Sequence, residues 1–140
     1  MVMALNFQNS ESIPGSLLVA DQSGRDNLLP QTNGLGYSAG GGAVTQATSR
    51  TTGVELNKPC GSITLVSAAG STTPATFTVT NSFVDASDTV VVCQKSGTDK
   101  YDLSVSAVGA GSFAITFNTK SGTTTEQPVI NFAVIKSVAA

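Results

Sequence analysis

The chain has no histidine and no tryptophan, and only 11% of its residues are charged. Without histidine it lacks the usual general base, the usual centre of a catalytic triad and the commonest metal ligand. With no tryptophan and two tyrosines, it is poorly equipped with the aromatic platform that sugar-binding modules display. Seven lysines and arginines against nine carboxylates give a net charge of −2. Those few cations are scattered and form no basic stripe, so nucleic acid is not an expected partner. Apolar runs stay far short of the roughly 20 residues that a membrane-spanning helix requires, and no membrane association is expected. The opening MVMALNFQNSES lacks the charged segment and apolar stretch of a signal peptide. Cysteine is scarce too, with only Cys60 and Cys93. They read either as a bridged pair or as two small free thiols, and the lack of an export signal favours free thiols.

What fills the sequence instead is serine, threonine and glycine around a 40% hydrophobic content. The polar surface is therefore built from short uncharged side chains, and low charge of this kind suits a protein that works in an assembly. At 140 residues the chain is long enough for one domain with a real core.

The chain divides near Gly40. Residues 1–39 hold no sustained period of 2 or 3.6 and are broken by Pro14-Gly15, Ser23-Gly24, Leu29-Pro30 and Asn33-Gly34. Two apolar clusters stand out there, Leu17, Leu18 and Val19, then Leu28 and Leu29. They are expected to anchor an extended N-terminal arm on a docking surface. The glycine run at positions 40–42 reads as a flexible joint between arm and body.

From Ala43 onward the pattern is β. Phe77 and Val79 alternate with Thr76, Thr78 and Thr80, and Phe113, Ile115 and Phe117 alternate with Ser112, Ala114 and Thr116. Tyr101, Leu103, Val105 and Ala107 read as one face of a further strand, and Cys60–Val66 and Thr89–Gln94 as two more. Turn residues separate these runs at regular spacing, which predicts an all-β antiparallel sandwich or barrel, jelly-roll-like, over residues 40–140. The organising stretch is EQPVINFAVIK at positions 126–136. Its apolar residues fall on both parities: Val129, Ala133 and Ile135 on one, Ile130, Phe132 and Val134 on the other. One face can enter the protomer's core and the other needs cover. Val129, Ile130, Phe132, Val134 and Ile135 are therefore the candidate interface residues of a homotrimer whose axis one face of this strand lines.

Catalytic chemistry has little to work with. Asp85 with Asp88, and Asp99 with Asp102, could in principle form an acid pair or a weak calcium loop, but turn aspartates usually bond their own backbone. The glycine runs match neither the dinucleotide nor the P-loop pattern. Lys58, Lys95, Lys100, Lys120 and Lys136 read as solvated strand ends. Neither enzymatic activity nor a cofactor or metal is expected.

One ordered set of segments is similar to a known family. GGGAVTQATSRTTGVELNKPCGSITL, ATFTVTNSFVDASDTVVV, GSFAITF and PVINFAVIK together resemble a β-domain of tailed-bacteriophage structural proteins, found in capsid decoration (cement) proteins and in head or tail fibres. The resemblance covers most of Gly40–Lys136. It implies a non-enzymatic, usually trimeric β-structure on the virion, with no catalytic residues to carry over. A short arm ahead of one β-body is the layout that the resemblance links to decoration proteins. These sit on the capsid surface, are assembled in the host cytoplasm, and hold neighbouring copies of the major capsid protein together. A receptor-binding fibre tip is the alternative.

Overall fold

Side chains alternate faces along a strand, so each run of alternating apolar and hydroxyl residues fixes one sheet surface. The structure, a computed structural model, describes residues 41–137. Ten strands follow in order: β1 (Gly41–Thr45), β2 (Val54–Glu55), β3 (Cys60–Thr64), β4 (Ala68–Ala69), β5 (Ala75–Thr80), β6 (Thr89–Ser96), β7 (Lys100–Gly109), β8 (Ser112–Ser121), β9 (Thr125–Glu126) and β10 (Val129–Ile135). The described residues contain no helix. The two apolar clusters of the arm, Leu17 to Val19 and Leu28 with Leu29, lie outside the described residues.

The fold is an all-β sandwich of two four-stranded sheets, ordered β1-β3-β10-β6 and β2-β5-β8-β7, with a small β4-β9 pair beside them. It is not a closed barrel. Nor is it antiparallel throughout, because β1 runs parallel to β3 and β2 parallel to β5. β10 takes an interior place in the first sheet, hydrogen-bonded to β3 on one side and β6 on the other. β8 holds the equivalent place in the second, between β5 and β7.

The core lies between the sheets. Ile63, Val90, Ile130, Phe132 and Val134 from the first sheet meet Phe77, Val79, Phe113, Ile115 and Phe117 from the second. Phe113 on β8 and Phe132 on β10 meet across the gap as tilted rings, 5.2 Å between ring centres, while Phe77 meets Phe117 edge-on at 5.9 Å. These are favourable aromatic geometries.

Two expectations change in detail. The register of β7 shifts between Val105 and Ala107, a bulge that consumes one residue. Tyr101, Leu103 and Val105 keep the half-buried parity, but Ala107 turns to solvent and Val108 takes the half-buried place. The glycine run is also not wholly a joint, since Gly41 and Gly42 belong to β1 and pair with Cys60 and Gly61. Glycine serves close packing at Gly42, because a Cβ there would lie 2.7 Å from Leu56 Cδ1. The chain between β5 and β6 closes a hydrogen-bonded turn, with Asp88 N donating to Asp85 O at 3.0 Å.

Candidate functional site

The strands that form the first sheet read GGAVT, CGSIT, VINFAVI and TVVVCQKS. Only one of those residues, Lys95, is charged. Core packing claims Ile63, Val90, Ile130, Phe132 and Val134, and alternation then sends Ala43, Cys60, Ser62, Val129, Asn131, Ala133, Ile135, Val91 and Cys93 to the opposite, outer face. Of the five interface candidates on β10, Ile130, Phe132 and Val134 are thus committed to the protomer's own core. Val129 and Ile135 are the two with surface to offer, and Ala133 lies between them on the same parity.

This outer face is uneven. Over β1 and β3 it sinks into an open trough lined by Gly41, Ala43, Cys60, Gly61, Ser62 and Asn131. Over β6 and β10 it rises at Val91 and Ile135, which are 49% and 54% exposed. Pairing of Ala133 with Val91 and of Ile135 with Thr89 makes these two side chains diagonal neighbours. Lys95 reaches across the face to Ser62 Oγ at 3.3 Å, and Ser62 donates to Asn131 Oδ1 at 2.7 Å.

Both cysteines are free thiols, and both lie on this face. Cys60 pairs with Ala133 and Cys93 with Asn131, on opposite sides of β10. Two strand spacings and a two-residue offset along β10 put them roughly 12 Å apart, beyond the ~7 Å between Cα atoms that a disulfide within one chain can bridge.

Polar clasps hold the two ends of β10. At its start, Arg50 is 9% exposed and donates to four backbone carbonyls: Val66 at 2.9 Å, Ala68 at 2.5 Å, Ala69 at 3.5 Å and Glu126 at 2.6 Å. It also donates to Tyr101 Oη at 3.1 Å, with its guanidinium 5.8 Å from that ring's centre. Tyr101 in turn donates to Glu126 Oε1 at 3.1 Å. Burial alone would raise the pKa of Glu126, but N–H donors from Thr98 and Asp99 and the Tyr101 hydroxyl outweigh it and hold the carboxyl below its ordinary value. Burial raises the pKa of Tyr101, and the Arg50 cation only partly offsets this.

At the other end, Lys136 is no idle strand end. Its Nζ donates to Asp85 Oδ2 and Asp88 Oδ2, each at 2.6 Å, and to Phe83 O at 3.0 Å. Asp88 also accepts from the N–H groups of Asp85 and Ser137. The hydrogen bond from Lys136, then that from the Asp85 N–H, lower the Asp88 pKa from 3.8 to about 2. The carboxylates that could have served as an acid pair are engaged elsewhere: Asp99 accepts from Thr124 N at 2.9 Å, and Asp102 pairs with Lys120 at 2.9 Å. The described residues hold no cluster of three or more metal-ligating side chains.

A pH dependence follows from the Lys136 clasp. The folded pKa of Asp88 is depressed, so its contribution is complete above about pH 4 and is lost as pH falls towards about 2. Lys136 is raised above 10.5 by Asp85 and then Asp88, so its contribution is complete below that value and is lost only in stronger alkali. Thermal midpoints measured from pH 5 to pH 2 are expected to fall more steeply for the native chain than for Lys136→Met, with the two curves converging at the acid end. Parallel curves would mean that the clasp does not set the acid limb.

Comparison with known proteins gives no assignment: no family model matches the chain, and neither a curated protein nor a solved structure does.

Proposed function

We propose that this is a virion structural protein, a capsid decoration protein that binds the outside of a phage head and cements neighbouring major capsid subunits. The observation that carries the reading is that one chain has both a nearly uncharged outer sheet face and, in its sequence, apolar clusters at Leu17, Leu18, Val19, Leu28 and Leu29. The face offers a surface for self-association, and the segment offers anchors for a second partner. The ordered resemblance of Gly40–Lys136 to phage β-domains names the class of assembly. On this reading the body forms a homotrimer, and three arms reach neighbouring capsid subunits from one centre. The role is binding rather than catalysis, in keeping with acidic side chains already engaged in clasps and backbone hydrogen bonds.

Fully burying one leucine or valine contributes roughly 1.5–3 kcal/mol, against about 1–2 kcal/mol for each backbone residue that becomes ordered. One arm alone binds weakly. Three arms on one body act together, because docking of the first raises the effective concentration of the rest. The test is cosedimentation of the purified full chain with undecorated shells of its own virion. The native chain is expected to pellet with the shells, and a chain carrying Leu17→Ser, Leu18→Ser, Leu28→Ser and Leu29→Ser to stay in the supernatant. A native chain that ignores shells but binds host cells or glycans is a fibre tip instead.

A further inference from the structure

We infer that the outer face of the β10 sheet is covered by further copies of this chain in a head-to-tail ring, with the Val91–Ile135 ridge of one copy seated in the β1–β3 trough of the next. The inference rests on the self-assembly in the function proposed above and specifies its contact.

Three observations select a second copy as the occupant. First, the sheet carries a single charge, Lys95, and no carboxylate. Two copies can therefore approach without carboxylate repulsion, whereas a charged partner would find almost nothing to pair with. Second, ridge and trough occupy opposite halves of one face, the ridge over β6 and β10 and the trough over β1 and β3. A protruding half beside a receding half is complementary to itself only when unlike halves meet, which is the requirement of a heterologous contact. Third, β1 and β6 are the two outer strands of this sheet among the described residues, and an outer strand is where a neighbouring copy can approach.

The width of the sheet sets the ring size. Four strands plus one gap to the neighbour span about 19 Å at ~4.8 Å per strand. Three such faces closed around an axis lie about 5.5 Å from it, close to half the ~10 Å separation of packed sheets. Four faces would stand about 10 Å from the axis and leave a hollow that small side chains such as Ala43, Ser62 and Ala133 cannot fill. Three copies close the prism.

The register supplies a test. Ala43, Ser62, Asn131 and Cys93 form one row across the sheet. In the ring, β6 of one copy adjoins β1 of the next, bringing Cys93 beside position 43 of its neighbour. Within one chain those positions are three strands apart, about 14 Å, and cannot be bridged. The experiment takes the full chain with Ala43→Cys and Cys60→Ser, oxidises it with copper phenanthroline, and resolves the products without reductant. Covalent trimers that dithiothreitol returns to single chains are expected, with none when Cys93→Ser is added. Products no larger than dimers, products that persist in that control, or no product from a chain that still sediments as an oligomer would each overturn the ring. A native chain that sediments as a monomer also overturns it. The outcome is separable from the function proposed above: a chain that cross-links as expected but ignores shells keeps the ring and loses the cement role. A chain that binds shells without this cross-link does the reverse.

Discussion

Replacing Arg50 with methionine is expected to lower the unfolding free energy by about 2–4 kcal/mol, because a fully buried carbonyl left without a donor costs roughly 1–3 kcal/mol and the three here are partly buried. Methionine keeps much of the side-chain volume and removes every donor. The carbonyls of Val66, Ala68 and Glu126 then lose a partner that now stands within 2.9 Å of each. They lie on three different pieces of chain: the exit from β3, the short strand β4, and β9 ahead of β10. The β4-β9 pair has only two residues in each strand and too few ladder bonds to hold itself. Tyr101 also loses the cation that partly offsets its burial. Arg50→Lys should recover only part of the loss, because an ammonium is a compact point donor that cannot span carbonyls arranged around a planar fork. Urea unfolding at pH 7, followed by circular dichroism, measures both variants. A methionine variant within 0.5 kcal/mol of the native chain, the usual range for an inconsequential surface change, would show that water satisfies these carbonyls unaided.

Arg50 also marks the limit of what the sequence discloses. Strands such as β5 and β8 were legible because Phe77 and Val79, or Phe113, Ile115 and Phe117, alternate with hydroxyl residues and one-sided burial demands that period. The two-sided apolarity of β10 was legible for the same reason. Which of its parities faces inward was not, since that depends on pairing Ile130 with Ile63 and Val134 with Val90, a matter of register between strands distant in sequence. Arg50 sits in a Ser/Thr-rich turn and takes its partners from backbone carbonyls up to 76 residues away. A carbonyl is present at every residue, so no residue pattern announces such a contact. The β4-β9 pair escaped notice because Ala68-Ala69 and Thr125-Glu126 are too short to show a period. The parity change in β7 comes from a one-residue bulge that leaves the apolar spacing of Tyr101, Leu103 and Val105 intact.

Phe132 and Ile135 lie three residues apart on β10 and face opposite ways, so their substitutions are expected to fail in different manners. Phe132 is 3% exposed and packs against the tilted ring of Phe113 across the two sheets. Truncating it to alanine removes that contact and opens a cavity under β3, where its ring stands 3.3 Å from the Cβ position of Gly61. Changes of this kind cost about 3–5 kcal/mol, a large share of the roughly 5–15 kcal/mol that holds a typical domain. Phe132→Ala should therefore unfold at much lower urea at every protein concentration. Ile135→Asp acts on the other side of the sheet, where 54% of the residue is already in water, so the isolated protomer should change little. Its expected effect is on assembly. An unpaired carboxylate forced into a dry contact costs several kcal/mol, and in a closed ring each copy would bear that cost. The two effects separate through mass action, because the thermal midpoint of an oligomer rises with protein concentration when association and folding are linked. The native chain should show that rise, and Ile135→Asp should lose it while matching the native midpoint at the lowest concentrations. If Ile135→Asp keeps the concentration dependence, the ridge lies outside the contact between copies, and the face of β10 that looks away from the core must meet a different partner.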